Sequence, residues 1–475
     1  MSERTQPPLL ARASVAEALP ATAPPVRIVH LGLGAFSRSH QAWYTAHADD
    51  ASEWGIAAYA GRSRDLADRL TAQDGLYTLI ERGPEYDRFE VIGSVVRAHA
   101  GDDLESLLRD LAAPDTAVVT LTITETGYVS TPDGSPDLDH FGMARDLEVL
   151  RALGSDAAVE PTARPVTALG RLVLGLELRR RAGGPALALV SCDNLPDNGG
   201  RLRRGIEGLA AAAFPALPDW LADHVSFVST SVDRITPRVE ARDVAEVAAA
   251  TGRLDEAPVI AEPFSDWVLS GEFPSGRPAW ETAGATFVAD LEPYEFRKLW
   301  MLNGAHSLLA CAGLLRGHVS VAEAIADPEC RSAVERLWDE DARNLPAGLG
   351  LDHYRDALLE RFSNARIEHR LEQIAIDSLA KLRVRVAPVA ERELGAGRTA
   401  EGCATVIAAW MAAIESGFCR ADAAEREIAD ALASPNPREG LLGLLSAKLA
   451  ADPVFAAKVE CEFARIAAPA EVTAK

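Results

Sequence analysis

The stretch VRIVHLGLGAF, residues 26–36, restricts the fold more than any other segment of the 475-residue chain. Val26, Ile28, Val29 and Leu31 form a short, nearly continuous apolar run ending in glycines, the pattern of a strand buried on both faces of a parallel sheet. SRSHQAWYTAHADD then reads as a helix and WGIAAYAG, residues 54–61, as a second strand, so residues 26–61 form one β-α-β unit. Gly32, Leu33, Gly34, Ala35, Phe36 and Ser37 occupy its first turn. A dinucleotide fold needs glycines there, because the chain turns sharply and its backbone must approach a pyrophosphate at the helix N-terminus. Ser37 stands where a third glycine usually lies. A strand before the motif and a helix after it are the required context. Gly32, Gly34, Ala35 and Phe36 are therefore the expected cofactor-binding residues.

The second strand should end beside the adenosine ribose. The residues there are Gly61, Arg62, Ser63, Arg64 and Asp65. A carboxylate accepts hydrogen bonds from the ribose diol and repels a 2′-phosphate, whereas an arginine attracts that phosphate. Asp65 argues for NAD, and Arg62 and Arg64 for some tolerance of NADP. Strand-like runs recur at 89–96, 117–124, 187–194 and 225–237, with a helix at 103–112. The expectation is an α/β domain with a doubly wound, mainly parallel sheet of Rossmann type. Near residue 290 the pattern changes. Residues 321–345 and 404–417 show apolar spacing of three and four, and strand-type alternation almost vanishes. The expected division is an N-terminal arm, 1–25, a dinucleotide-binding domain, 26–288, and an all-helical C-terminal domain, 289–475.

The formal net charge of −22 disfavours nucleic acid and anionic membrane surfaces as partners. Cys192, Cys311, Cys330, Cys403, Cys419 and Cys461 form no CxxC pair and read as free thiols of a reducing compartment. The first 25 residues lack a signal-peptide core, and no apolar run is long enough to span a bilayer. A cytoplasmic protein is expected, as a monomer or small homo-oligomer, with a small-molecule substrate.

Two polar clusters carry the chemistry. Lys298, Asn303 and His306 lie in KLWMLNGAH, an otherwise apolar segment. On a regular helix Asn303 and His306 are close neighbours, and Lys298 and His306 are about 80° apart. Polar groups within so apolar a helix need partners or a role. A desolvated lysine can serve as a base near neutral pH, and an asparagine amide can donate to a developing alkoxide. A buried polar network that only ties domains together fits the same pattern. The second cluster, SCDNLPDNG at 191–199, follows a buried strand on the expected ligand side of the sheet; alone, it is an Asx-rich turn.

Together these segments resemble the polyol-specific long-chain dehydrogenase/reductase family, which includes mannitol 2-dehydrogenase and fructuronate reductase (mannonate oxidoreductase). The similar stretches are HLGLGAFSRSHQAWYT, QDGLYTL, TLTITETGY, SCDNLPDNG, VDRITP, EPFSDWV, GRPAW, KLWMLNGAHSLLA, ERFSN and QIAIDSLAK, in family order from residue 30 to 381. The resemblance implies an active site between the two domains and a metal-independent reaction. It implies Lys298 as general acid/base, Asn194 and Asn303 as the oxyanion-stabilising pair, and His306 as the residue that orients the substrate and helps position the lysine. It places Asp233 near the substrate pocket and matches Lys381 to a substrate-contacting lysine. Gln373 stands where mannitol dehydrogenases carry an arginine and, with His369 and Arg370, is more similar to fructuronate reductase. Ser378 replaces a glycine, Arg64 stands where a mannitol dehydrogenase can have an acid, and SCDNLPDNG is closer to the mannitol enzymes.

The resulting expectation is NAD(P)-dependent interconversion of a sugar alcohol and a ketose, of mannitol/fructose type. The alternatives are a fructuronate or tagaturonate reductase and a mannitol-1-phosphate 5-dehydrogenase, with Lys381, Arg383 or Arg370 meeting the substrate's anion. A non-catalytic dinucleotide sensor is the reading from another class, disfavoured because a sensor needs no proton-transfer lysine.

Overall fold

The computed structural model describes residues 7–17, 19–61, 63–154, 164–419 and 421–467. They divide into two compact units, residues 1–291 and 292–475.

The first unit is built on an eight-stranded sheet. Six of its strands are parallel: Val26–Leu33 lies beside Gly55–Ala60 and then Val95–His99 on one side, and beside Val118–Leu121, Leu187–Ser191 and Val225–Asp233 on the other. In chain order this is 3-2-1-4-5-6, the Rossmann arrangement, whose strand order reverses at the first strand. Asp266–Ser270 adds antiparallel to Val225–Asp233, and Thr286–Phe287 adds parallel to Asp266–Ser270. Gly55–Ala60 and Leu187–Ser191 are buried throughout, which is why both read as unbroken apolar runs. Apolar cores fill both faces of the sheet.

One strand reading needs correction. Residues 89–96 are two strands, not one. Asp87–Ile92 pairs antiparallel with Tyr77–Arg82 in a separate three-stranded sheet completed by Val259–Ala261. Val95–His99 belongs to the large sheet. Gly93 and Ser94 are the hinge between sheets, and an apolar run cannot announce that its two halves pair with different partners. The helix expected over residues 37–50 is likewise broken: Ala35–Ser39 and Gln41–His47 meet at His40, whose φ of −116° and ψ of −87° are not helical. Of the N-terminal segment, Leu10 and Val15 pack with Leu76 in a small apolar cluster, and Leu10 is bonded to the backbone of Leu254.

The second unit is helical from Glu292–Arg297 to Pro453–Ala467. Its centre is formed by Asn303–Leu315 and Glu401–Glu415, which are buried on nearly every side, as expected of helices apolar all round. Among the described residues no helix is long and apolar enough to cross a membrane, and no group of three His, Cys, Asp or Glu side chains is arranged to hold a metal ion.

Candidate active site

In the first unit the glycine turn is fixed by the strand beside it. Gly32 has φ +108°, and a Cβ there would lie 2.1 Å from the carbonyl oxygen of Thr122. The Thr122 hydroxyl donates to the Gly32 carbonyl at 2.9 Å. Both the backbone angle and the approach demand glycine. Gly34 differs, because a Cβ there would meet nothing nearer than the Gly32 carbonyl oxygen at 3.5 Å. That open space above the strand end is where a pyrophosphate would approach the backbone, so the turn fits a dinucleotide. Ser37 acts locally, its hydroxyl accepting from the Gly34 N–H at 3.0 Å and holding the turn closed. Phe36 stacks on His40 with ring centroids 4.9 Å apart. Arg64 and Asp65 are exposed at the start of the Asp65–Ala72 helix, with Arg64 paired to Asp68 at 3.2 Å. Arg62 lies outside the described residues.

Beneath the turn, His30 lies within hydrogen-bond distance of the Thr120 hydroxyl through Nδ1, 2.8 Å, and of the Thr122 hydroxyl through Nε2, 3.2 Å. Burial pushes its pKa down to about 4, so the imidazole is neutral at physiological pH. A histidine with a depressed folded-state pKa takes up its proton more readily in the unfolded chain. Stability is thus present above the unfolded value near ~6.5 and is lost as pH falls from there to about 4. We expect thermal unfolding to fall more steeply across that window in the wild type than in His30→Gln. Parallel curves for the two would remove His30 as the cause.

The strand-end loops converge on the same edge. Asp193 is buried and accepts from the backbone of Ile123 and Thr124 and from the Tyr128 hydroxyl. Burial raises its pKa against those hydrogen bonds. Asn198 bonds to the carbonyls of Asp193 and Thr230 and to the Thr230 N–H, stapling two strand ends. Between these fixed points Asn194 is exposed at the carboxyl end of the sheet, the side where ligands of such sheets bind. Asp233 ends its strand opposite Asp266. Arg234 is buried and donates to the carbonyls of Ser39 and Glu262, and Thr236 bonds to Ser39. VDRITP, EPFSDWV and the glycine turn therefore form one packed corner.

In the second unit the lysine segment departs from a regular helix. Lys298–Leu302 is a π-helical turn that leads into Asn303–Leu315, and the Asn303 N–H reaches back to the Lys298 carbonyl as well as those of Leu299 and Trp300. In an α-helix Lys298 and Asn303 would be about 140° apart. The i→i+5 ring of a π turn instead sets Asn303 one wide turn above Lys298, on the same face. His306, three residues further along a regular helix, follows at about 60°. The three groups thus lie closer together than an unbroken helix would place them. His306 is buried, its ring 4.9 Å from Phe362 and 4.7 Å from His369. Burial, followed by the neighbouring His369, Arg361 and Arg385, holds its pKa well below the usual histidine value. Its Nε2 has no hydrogen-bond partner among the described residues. A neutral, buried imidazole nitrogen with nothing to bond is suited to meet a substrate hydroxyl.

Residues 26–282 match the mannitol dehydrogenase Rossmann domain and residues 290–435 the mannitol dehydrogenase C-terminal domain. The chain belongs to the mannitol dehydrogenase family. Its relatives include the D-mannonate oxidoreductase of Escherichia coli (strain K12), 39% identical over 81% of this chain and 79% of that protein. Two solved structures resemble it over 96% of its length. One is a D-sorbitol dehydrogenase in substrate-free form, with TM-score 0.83, 29% identity and 98% of that chain covered. The other is the Pseudomonas fluorescens mannitol 2-dehydrogenase in a ternary complex with NAD and D-mannitol, with TM-score 0.74, 31% identity and 96% of that chain covered.

The residues singled out between positions 370 and 383 have mixed surroundings. Lys381 donates to the carbonyls of Ile374 and Ile376, closing the short helix that carries the exposed Gln373. Burial lowers the Lys381 pKa, and Arg385 adds to the effect. Arg370 pairs with Glu368, and Arg383 donates to the Leu444 carbonyl. Ser378, in place of a glycine, accepts from the Trp410 indole and bonds to Asp422. Sequence reading missed Arg385, whose pKa burial lowers to about 10 and which donates to the Asn303 carbonyl and the Ser307 hydroxyl. It also missed Trp338, whose indole donates to the Met301 carbonyl at 2.8 Å. Neither carries a local motif that could have revealed it.

Proposed function

We propose that this chain, an NAD-dependent oxidoreductase of polyols and sugar acids, interconverts a sugar alcohol and a ketose with Lys298 as general acid/base. The observation that carries the reading is the π turn, which sets Lys298 on the face of Asn303 beside a neutral His306. When bound at Gly32, Gly34, Ala35 and Phe36, with Arg64 and Asp65 at the ribose, the nicotinamide dinucleotide supplies the hydride acceptor or donor. Lys298 in its neutral form takes the hydroxyl proton during oxidation and returns it during reduction. The amides of Asn194 and Asn303 donate to the oxygen as negative charge develops. His306 orients the substrate hydroxyl, and Asp233, Gln373 and Lys381 bound the substrate. No step assigned to these residues calls for a metal. Asp65 favours NAD, and Arg64 leaves NADP tolerated.

A second substrate class has its own support. The 39% identity to a D-mannonate oxidoreductase and the glutamine at position 373 favour a ketouronate. The test is NADH and NADPH oxidation with fructose, fructuronate, tagaturonate and fructose 6-phosphate. Turnover with fructose supports the polyol reading; turnover restricted to a ketouronate or the phosphate moves the assignment to an anionic substrate. Saturable NADH binding with no turnover on any of them would sink both readings and revive the sensor.

A further inference from the structure

π turns are rare and usually last a single turn, because the widened ring bonds less well than the α-helix it interrupts. One inside a helix is favoured where contacts outside the turn support it. The Lys298–Leu302 turn is gripped at Met301, inside the turn, and at Asn303, just beyond it. The indole N–H of Trp338, on the helix Pro328–Asn344, donates to the Met301 carbonyl at 2.8 Å. Trp338 is 1% exposed and Met301 0%. In so dry a place the indole N–H finds no water in exchange, so losing the Met301 carbonyl would leave it at full desolvation cost. The same indole lies 6.3 Å from the ring of Phe362, and Phe362 lies 4.9 Å from the ring of His306. Trp338 thus backs the histidine through one intervening ring while gripping the backbone that carries the lysine.

We propose that Trp338 is a positioning residue: through the Met301 carbonyl its indole N–H holds the π turn that keeps Lys298 on the face of Asn303. The inference rests on the reading of Lys298 as the proton-transfer group. Removal of the N–H lets the turn relax toward the α-helical register, which swings Lys298 away from Asn303.

The test replaces Trp338 with benzothienylalanine, which keeps the ring size and removes only the donor, and in parallel makes Trp338→Phe. Trp280→Phe is the control. Trp280 is equally buried and donates from its indole to the Thr45 hydroxyl at 3.0 Å in the first unit. The expected result for both Trp338 replacements is a fall in kcat of about tenfold to a hundredfold, the usual cost of a misplacement near 1 Å. The pH profile of kcat should move by about half a unit or more, with the dinucleotide Kd unchanged, whereas Trp280→Phe lowers Tm and leaves the pH profile in place. A benzothienylalanine protein with the wild-type kcat and pH profile overturns the proposal, as does an equal shift in Trp280→Phe. Lys298→Ala, run alongside, separates the two layers. If it is inactive while the Trp338 replacements behave as wild type, only the positioning role has failed. If it retains the wild-type rate, the lysine reading has failed and the positioning role with it.

Discussion

Lys298→Ala lowers kcat by about 10²–10⁴-fold in both directions, the usual contribution of a positioned general acid/base. Dinucleotide affinity, measured by calorimetry or by quenching of protein fluorescence, stays at the wild-type value, because the glycine turn belongs to the other compact unit. The expectation rests on the lysine's place in the π turn, next to Asn303 and a histidine whose own protonation is suppressed by burial. With His306 held neutral, the expectation assigns the proton to the lysine rather than to that histidine. Two further readouts sharpen the result. The limb of the pH profile that belongs to the base disappears, and small primary amines added to the alanine variant restore part of the rate. A loss of less than tenfold, with the pH profile intact, would mean that another group moves the proton.

The second large effect is expected at the glycine turn, where two neighbouring substitutions should fail differently. Gly32→Ala places a methyl 2.1 Å from the Thr122 carbonyl oxygen at a residue with φ +108°. Backbone strain of that kind costs about 1–3 kcal/mol before any clash is counted. The partner is backbone at the end of a parallel ladder and has little room to retreat. This variant is expected to lose both thermal stability and dinucleotide binding. Gly34→Ala adds its methyl to open space, so it should keep its Tm and lose affinity alone. Equal Tm losses in the two variants would show that the space at Gly34 is not kept for a ligand. Unchanged affinity in both would remove the turn from the binding site.

The Rossmann half was legible because its information is local. A buried parallel strand is a continuous apolar run, and the glycine turn follows it within a few residues, so the strands around Val29, Ala57, Val119 and Leu189 could be read from the chain alone. What escaped was pairing. Residues 89–96 are largely apolar, yet Phe89 faces Ile80 in one sheet while Val95 faces Ile56 in another. Lys298 shows the same limit in the helical half. KLWMLNGAH displays the residue types but not the extra residue in its turn, because a π turn leaves no periodic mark when it lasts only once around the axis. Trp338 lies 37 positions from the carbonyl it binds, on a helix whose spacing suggests only packing. Residues that hold the backbone of another segment are invisible until the chain is folded, whereas residues that touch a ligand tend to sit in motifs.

The π turn also limits how the length of this chain can change. Elsewhere a helix can lose one residue at its end and shorten by about 1.5 Å with its faces unchanged. Between Lys298 and Leu302 a single deletion would convert the wide turn into an ordinary one and rotate everything before it by about 100° relative to His306. Point substitutions within the stretch leave the phase of the helix as it is. A missing residue does not, because the mismatch is in phase rather than in size.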